Sequence, residues 1–533
     1  MKTKKIISVL LSTVMIVSAL SACGGKEEKV EITPVEGFNE TGYPVVDGSY
    51  TITAMGSYNS ARGGAVEDIT AYKELEKITN IKLDMDAIDQ SSFSEKLSVT
   101  LAGGDLPDIF FSAALGKTTL QQQMKIGNII DLKPYIDEYA PNFKKLLDES
   151  EELRSIVTLP TGEIASLPYF QINFENQKCQ PEMMMVYKPW LDKLGLEVPE
   201  TTEELYNVLK AFKEQDPNGN GKADEIPFCP RSLNDFYAMF AMFGIMAEPG
   251  FNYMFLDGET TEYAPLQPEF KEALAYFAKL YKEGLLDKDM FIQNQQQVLS
   301  KGAGAEEIVG ATVSAAGFVV VGNERNAGMV PTPIISKPGA KEKMWISREL
   351  AGAGALAITK VCEHPEVVVR WADYLYSEEG AKLAWMGVEG VSYKYNEDGT
   401  WNWITENGES STEARAKHTL NSGMSVPSKY PMEWFKVNDG TETLANEQRL
   451  WMVENYGDCL RLPTPPIYMD PSVEKTVATT ATDLNQYVTQ YIAQVVTGEK
   501  DLEASWAEFE TTCKRMGADE LVEIYKNEFA KLS

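Results

Sequence analysis

Histidine is almost missing from this chain: His364 and His418 are the only two among 533 residues. A histidine-ligated catalytic zinc or a Ser-His triad would have to use one of them, and neither lies near a nucleophile motif. There is no HExxH, no GxSxG and no P-loop, so the usual signatures of zinc proteases, serine hydrolases and nucleotide-phosphate binders are absent. Cysteine is sparse as well. Cys23, Cys179, Cys229, Cys362, Cys459 and Cys513 are scattered without a CxxC pair, which signals neither a zinc knuckle nor a dense disulfide framework. Apart from Cys23, most are expected as small buried hydrophobes. Basic charge is short: 49 Lys and Arg stand against 79 Asp and Glu, a formal net charge of -30. That argues against nucleic acid as a partner, because phosphates need a basic face. It argues equally against broad contact with an anionic membrane surface. Beyond the N-terminus no run is apolar enough to span a bilayer.

What is present is ordinary for a soluble globular protein, with 44% apolar and 24% charged residues. The length is too great for one core and predicts two or more domains. The N-terminus is different. Lys2, Lys4 and Lys5 precede an apolar run from Ile6 to Leu20, as in a secretory signal. Leu20-Ser21-Ala22-Cys23 then resembles the lipobox of bacterial lipoproteins, in which the signal is cut before the Cys and its sulfur carries diacylglycerol. Loss of residues 1–22 removes those three lysines and no acid, moving the formal charge from -30 to -33. Residues 23–47 are polar and punctuated by Gly and Pro, and read as a flexible tether. The expected location is extracytoplasmic, on the outer face of the cell membrane, held by a lipid on Cys23.

After the tether, YTITA reads as a strand, TAYKELEKITN as the end of a helix, and IKLDMDAI as an alternating, half-buried strand. SSFSEKLSVTLAGG reads as a second helix closed by Gly103-Gly104, and DLPDIFF opens the next strand. Strand, helix, strand, helix, strand predicts an α/β fold with a parallel sheet. Ligands of such sheets bind beyond the carboxyl ends of the strands, where Phe111 and Ser112 would stand. Further on, residues 308–321 read as strand-like, residues 352–359 as an apolar strand, and residues 365–385, 481–498 and 502–532 as helices.

One loop has a metal pattern. In QDPNGNGKADEIP, Asp216, Asn218 and Asn220 fill alternate positions and Gly221 follows where the chain must turn. Calcium takes oxygen ligands at this spacing. Lys222 would offer its backbone carbonyl, and Asp224 and Glu225 would close the site. Pro227 stands where an EF-hand has its bidentate Glu, so the closing carboxylate must come early. Three carboxylates in so short a loop repel one another without a cation. The bland alternative is a hydrophilic Asn-Gly turn between a helix and a strand.

LAGGDLPDIFF resembles the SGDLPDVF signature of extracellular solute-binding proteins, family 1, of ABC importers. KPWLDKLGLEVPETTEELYNVLKAFKEQDPNGNGKADEIP is similar to a segment of the larger lipoproteins of that family, the alginate-oligosaccharide binders among them. RWADYLYSEEGAKLAWMGVEGVSYKYNEDG matches their later block. The resemblance runs from about Tyr50 to the C-terminus. It implies a two-lobe, periplasmic-binding-protein-like α/β fold with a hinge and an interlobe cleft. By analogy the lobes are expected at 48–168 plus 311–351 and at 169–310 plus 352–533. The alginate-binding relatives use a calcium loop of this shape, which supports Glu225 as a ligand to a structural calcium ion.

Sugar sites use aromatic faces and a few polar groups. With 54 aromatic residues in the chain, most must be core. Phe111, Tyr169, Phe318 and Trp385 lie at expected strand ends, hinges or family blocks. Tyr58 and Tyr237 lie near loop-to-helix turns. Arg62, in SARGG, has small neighbours and a planar fork suited to hydroxyls or a carboxylate. Glu389 and Tyr393 sit in GVEGVSY, where Gly387 and Gly390 allow a tight backbone. Trp190 reads as a packing residue. The expected function is capture of a carbohydrate, an oligosaccharide, by lobe closure and delivery to a membrane permease, by a monomer that is not an enzyme. Alternatives are a ligand-binding surface sensor and a glycoside hydrolase with two carboxylates.

Overall fold

Alternation builds the first strand. In YTITAMGSY the side chains of Ile52 and Ala54 turn inward while Thr51 and Thr53 face water, the period of two that a half-buried strand requires. This segment is β1 (Tyr50–Tyr58) in the computed structural model, which describes residues 35–59, 65–171, 181–340, 342–406 and 408–532. The helix Thr70–Thr79 follows and stops at Asn80, which takes the left-handed conformation of a C-cap. Next comes β2 (Ile81–Asp89), whose last residue caps the helix Gln90–Gly103 by accepting a hydrogen bond from Ser91 N at 3.0 Å. Then β3 (Ile109–Phe111) enters the core, fully buried. Both β2 and β3 lie parallel to β1. Four short helices lead to β4 (Leu167–Phe170).

The chain then builds a second body. Its strands are β5 (Met183–Tyr187) and β6 (Ile226–Phe228), between which a Thr201/Glu204 capping box starts the helix Thr202–Glu214. A hairpin of β7 (Met254–Asp257) and β8 (Thr260–Tyr263), the helix Pro268–Lys282, β9 (Val309–Ser314) and β10 (Met329–Pro331) complete it. The sheet order is β10-β5-β9-β6. After β11 (Trp345–Ile346), β12 (Ala351–Ile358) returns to the first sheet and inserts between β3 and β4, antiparallel to both. The order there is β2-β1-β3-β12-β4. A hairpin of β13 (Tyr393–Tyr395) and β14 (Trp401–Trp403) follows, and β15 (Leu460–Arg461) pairs with β11 beside the junction.

The lobe boundaries differ from those expected. Residues 311–351 do not join the first lobe, because β9 and β10 both pair with β5 in the second sheet. Residues from 352 onward do not all join the second: β12 lies in the first sheet, and the Asp373 carboxylate accepts hydrogen bonds from Phe143 N at 2.8 Å and Asn142 Nδ2 at 2.7 Å in the first lobe. The chain recrosses before the helix Thr441–Tyr456, whose Gln448 donates to Met329 O. The helix Leu502–Arg515 then packs on the second lobe, with the Phe509 ring parallel to that of Phe270. Residues 308–321 are also not one strand: Val309–Ser314 is extended, and Phe318 opens the helix Phe318–Asn326. One core gathers Phe236, Phe240, Phe277 and their neighbours in the second lobe; another holds Phe110, Leu120 and Ala357 in the first.

Candidate functional site

A cavity of about 640 Å³ lies where the lobes meet. Lys117, Tyr169 and Gly352 line it from the first lobe, Arg231, Asp235 and Glu248 from the second, and Arg348 from the segment that crosses between them. Arg231 stands just past β6, beyond the carboxyl end of a sheet strand, where ligands of α/β folds collect. Ser232 caps the helix Leu233–Ala238 and thereby places Asp235 on its first turn. The Arg231 fork is then held in plane: Nε donates to Asp235 Oδ2 and Nη2 to Asp235 Oδ1, both at 2.9 Å, and Nη2 reaches Glu182 Oε1 at 3.2 Å. Arg348 pairs with the same Glu182 oxygen. Lys117 lies 3.9 Å from Glu349. Tyr169 covers Gly352 so closely that a Cβ there would lie 2.3 Å from its ring, so only glycine permits this contact.

Glu248 is the oddest group in the cavity wall. It is buried, and burial, with the Asp235 charge beside it, pushes its carboxyl up to about 8. Folded Glu248 therefore keeps its proton to about pH 8, whereas the unfolded chain loses it near the ordinary value of 4.5. The folded state holds the extra proton between those values, so stability falls as pH rises through the window. Glu248→Gln is expected to raise the unfolding free energy above pH 8 by more than about 1 kcal/mol and to change it little at pH 4. Thermal melts without sugar across that range measure the difference.

A side compartment of about 240 Å³ shares Tyr169 and Arg348 with the main cavity and is walled by Trp385 and Arg415. Of the residues expected to bind ligand, the structure thus brings Tyr169 and Trp385 to the cleft. Trp385 is also packed edge-on against Tyr430, with ring centroids 4.5 Å apart. The others stand elsewhere. Phe111 is fully buried against Trp371, 5.4 Å between centroids. Ser112 is a structural tie: its hydroxyl donates to Ser57 O and accepts from Ser425 N, both at 2.9 Å. Tyr237 is buried among Phe236 and Tyr253. Tyr58 ends β1 half-buried, Phe318 is half-buried at its helix start, Glu389 is exposed, and Tyr393 packs on Trp401. Arg62, Cys23 and Cys179 lie outside the described residues. Cys229, Cys362 and Cys513 are buried free thiols. The cavity-lining residues not expected include Lys117, Glu182, Arg231, Asp235, Glu248 and Arg348. A findable signal was RSLND directly after the strand IPF, where a capping serine fixes the helix start.

The loop at 216–225 curls on itself. Asp216 accepts from Gly219 N and Gly221 N at 3.1 Å, and the Asn218 and Asn220 amides both reach the Asp224 carboxylate. Glu225 is buried, its Oε1 has no hydrogen-bond partner, and burial raises its carboxyl. Among the described residues no group of three or more His, Cys, Asp or Glu side chains is drawn together for a metal. A calcium loop also uses amide and main-chain oxygens, however, and the orphaned Glu225 oxygen fits such a donor set.

The model of the bacterial extracellular solute-binding protein family matches residues 60–382. The chain belongs to that family. This solute-binding protein is 28% identical over 470 residues to the fructooligosaccharide ABC transporter substrate-binding protein FusA of Streptococcus pneumoniae, covering 85% of each chain. It is 28% identical to the polygalacturonan/rhamnogalacturonan-binding protein YtcQ of Bacillus subtilis over 62% of its own length and 65% of that protein. Its fold matches the structure of S. pneumoniae FusA in complex with kestose, with a TM-score of 0.76 and 24% identity over 90% of this chain and 99% of that one. A second structure, equally similar at a TM-score of 0.76 and 24% identity with the same coverage, is of an EF-hand mutant of FusA. Among the described residues no helix is long and apolar enough to cross a membrane.

Proposed function

We propose that this solute-binding protein captures an oligosaccharide between its lobes, unchanged, and passes it to an ABC-type permease. The observation that carries this reading is the 640 Å³ cavity at the lobe junction, where aromatic Tyr169 stands among fixed, oriented polar groups. Such a mixture suits a sugar, which presents apolar C–H faces and hydroxyls together. The names of FusA and YtcQ, both saccharide binders, support it. Three crossings between the lobes form the hinge that closes on ligand. Cys23 carries the lipid that keeps the protein at the membrane surface; the tether expected at 23–47 is shorter than that, because Val45 and Val46 are buried and Arg370 donates to Glu40 O and Gly42 O, which packs this stretch onto the first lobe. Calorimetric titration of the soluble chain with a panel of oligosaccharides tests the proposal. Binding of one class, with the sugar recovered intact, supports it; cleavage of the sugar, or no binding at all, overturns it.

A calcium ion at Asp216, Asn218, Asn220, Lys222, Asp224 and Glu225 pins the loop on the surface of the second lobe. The unpartnered Glu225 oxygen favours this second reading. The role is structural, because none of these residues lines the cleft. Calcium at 100 times its dissociation constant is expected to add about 2.7 kcal/mol to stability. Chelation should lower the melting temperature, calcium should restore it, and Glu225→Gln should abolish the response. A melting temperature indifferent to chelator and calcium returns the loop to an ordinary turn.

A further inference from the structure

Among the described residues, each cation that lines the main cavity is matched by an acid of the protein. Arg231 holds Asp235 with two hydrogen bonds and Glu182 with a third. Arg348 shares Glu182, and Lys117 faces Glu349. In the side compartment Arg415 lies against ring faces, its guanidinium carbon 4.6 Å over Trp434 and 5.9 Å over Trp385; it feels the Glu442 charge, but its buried Nε has no hydrogen-bond partner, so the matching of cations by acids is a property of the main cavity. Glu248 adds a further carboxyl to the wall.

A carboxylate entering a desolvated cleft needs charge-assisted donors that are free to turn to it. Here it would compete with Glu182, Asp235 and Glu349 for donors those acids already occupy, and it would sit beside like charges. A hydroxyl meets no such penalty. It can donate to a carboxylate oxygen and accept from the outer edge of a guanidinium without breaking either pair. We infer that this cleft selects uncharged oligosaccharides and rejects uronate-containing ones, with Glu182 as the residue that sets the discrimination. Rejection by occupied cations is a form of specificity built against the wrong ligand.

The inference rests on the oligosaccharide reading above, and the test separates the two. The full soluble chain is titrated calorimetrically with short neutral fructo-, xylo-, malto- and galacto-oligosaccharides and with oligogalacturonate. At least one neutral class is expected to bind on the order of 100-fold more tightly than oligogalacturonate, since like-charge juxtaposition costs several kcal/mol. Oligogalacturonate binding as tightly as any neutral sugar overturns the inference and leaves the transport reading standing. Binding of neither overturns both. Glu182→Gln, checked for an unchanged melting cooperativity, releases part of the hold on Arg231 and Arg348 and is expected to strengthen oligogalacturonate binding about tenfold. If oligogalacturonate affinity stays unchanged in this variant while a neutral sugar still binds, Glu182 is not the determinant. If Glu182→Gln fails to fold, Glu182→Ser supplies the same readout with the charge removed.

Discussion

Arg231→Ala is expected to lower the unfolding free energy by about 3–5 kcal/mol, the usual consequence of removing one member of a buried ion-pair network. Asp235 is 2% exposed and Glu182 7%; Glu182 keeps Arg348 when Arg231 goes, so the loss falls chiefly on Asp235. The effect is larger than truncation of a surface arginine would give, because exposed pairs contribute at most about 1 kcal/mol. Arg231→Lys keeps the charge but loses the planar fork, so it should recover only part of the loss. Denaturant melts of the three proteins at neutral pH give the comparison. A loss of less than 1 kcal/mol in Arg231→Ala would mean that the network is hydrated and does not brace the cleft.

Phe111→Ala is expected to be comparably destabilising, by about 3–5 kcal/mol, with the sugar affinity of the folded protein unchanged. The ring fills the space between Tyr72 and Trp371 and lies outside the cavity, so its removal leaves a void and no missing ligand contact. Melting and calorimetric titration on the same sample distinguish the two roles. Normal stability with lost binding would return Phe111 to the ligand site, where the end of an apolar strand first placed it.

That contrast shows where sequence reading succeeds. The first three strands were legible because their order in the chain is their order of construction: each alternates or runs apolar, and each helix between them ends at a residue suited to a left-handed cap. The later strands β9, β10 and β12 are equally apolar, and nothing within them says which sheet they join. That choice is made by pairing with β3, β4 or β5, far away in the chain. The site divides in the same way. Tyr169 was accessible as an aromatic residue near an expected hinge. The Arg231–Glu182 pair joins residues 49 positions apart, and an acid among 79 acids carries no mark of its burial. Phe111 and Tyr237 were aromatic for the commoner reason, core packing.

The insertion of β12 between β3 and β4 also sets a timetable. All four strands of the second sheet lie between Met183 and Pro331, whereas β4 has no neighbour in its own sheet until β12, ending at Ile358, arrives. For a chain that emerges N-terminus first, the second sheet is the first to be complete. The leading lobe stays open along its β3–β4 seam throughout, because that seam closes only across a long excursion of the chain, the slowest kind of contact to make. The lobe whose residues appear first is therefore the last to be closed, because it waits on a strand that follows the whole second sheet.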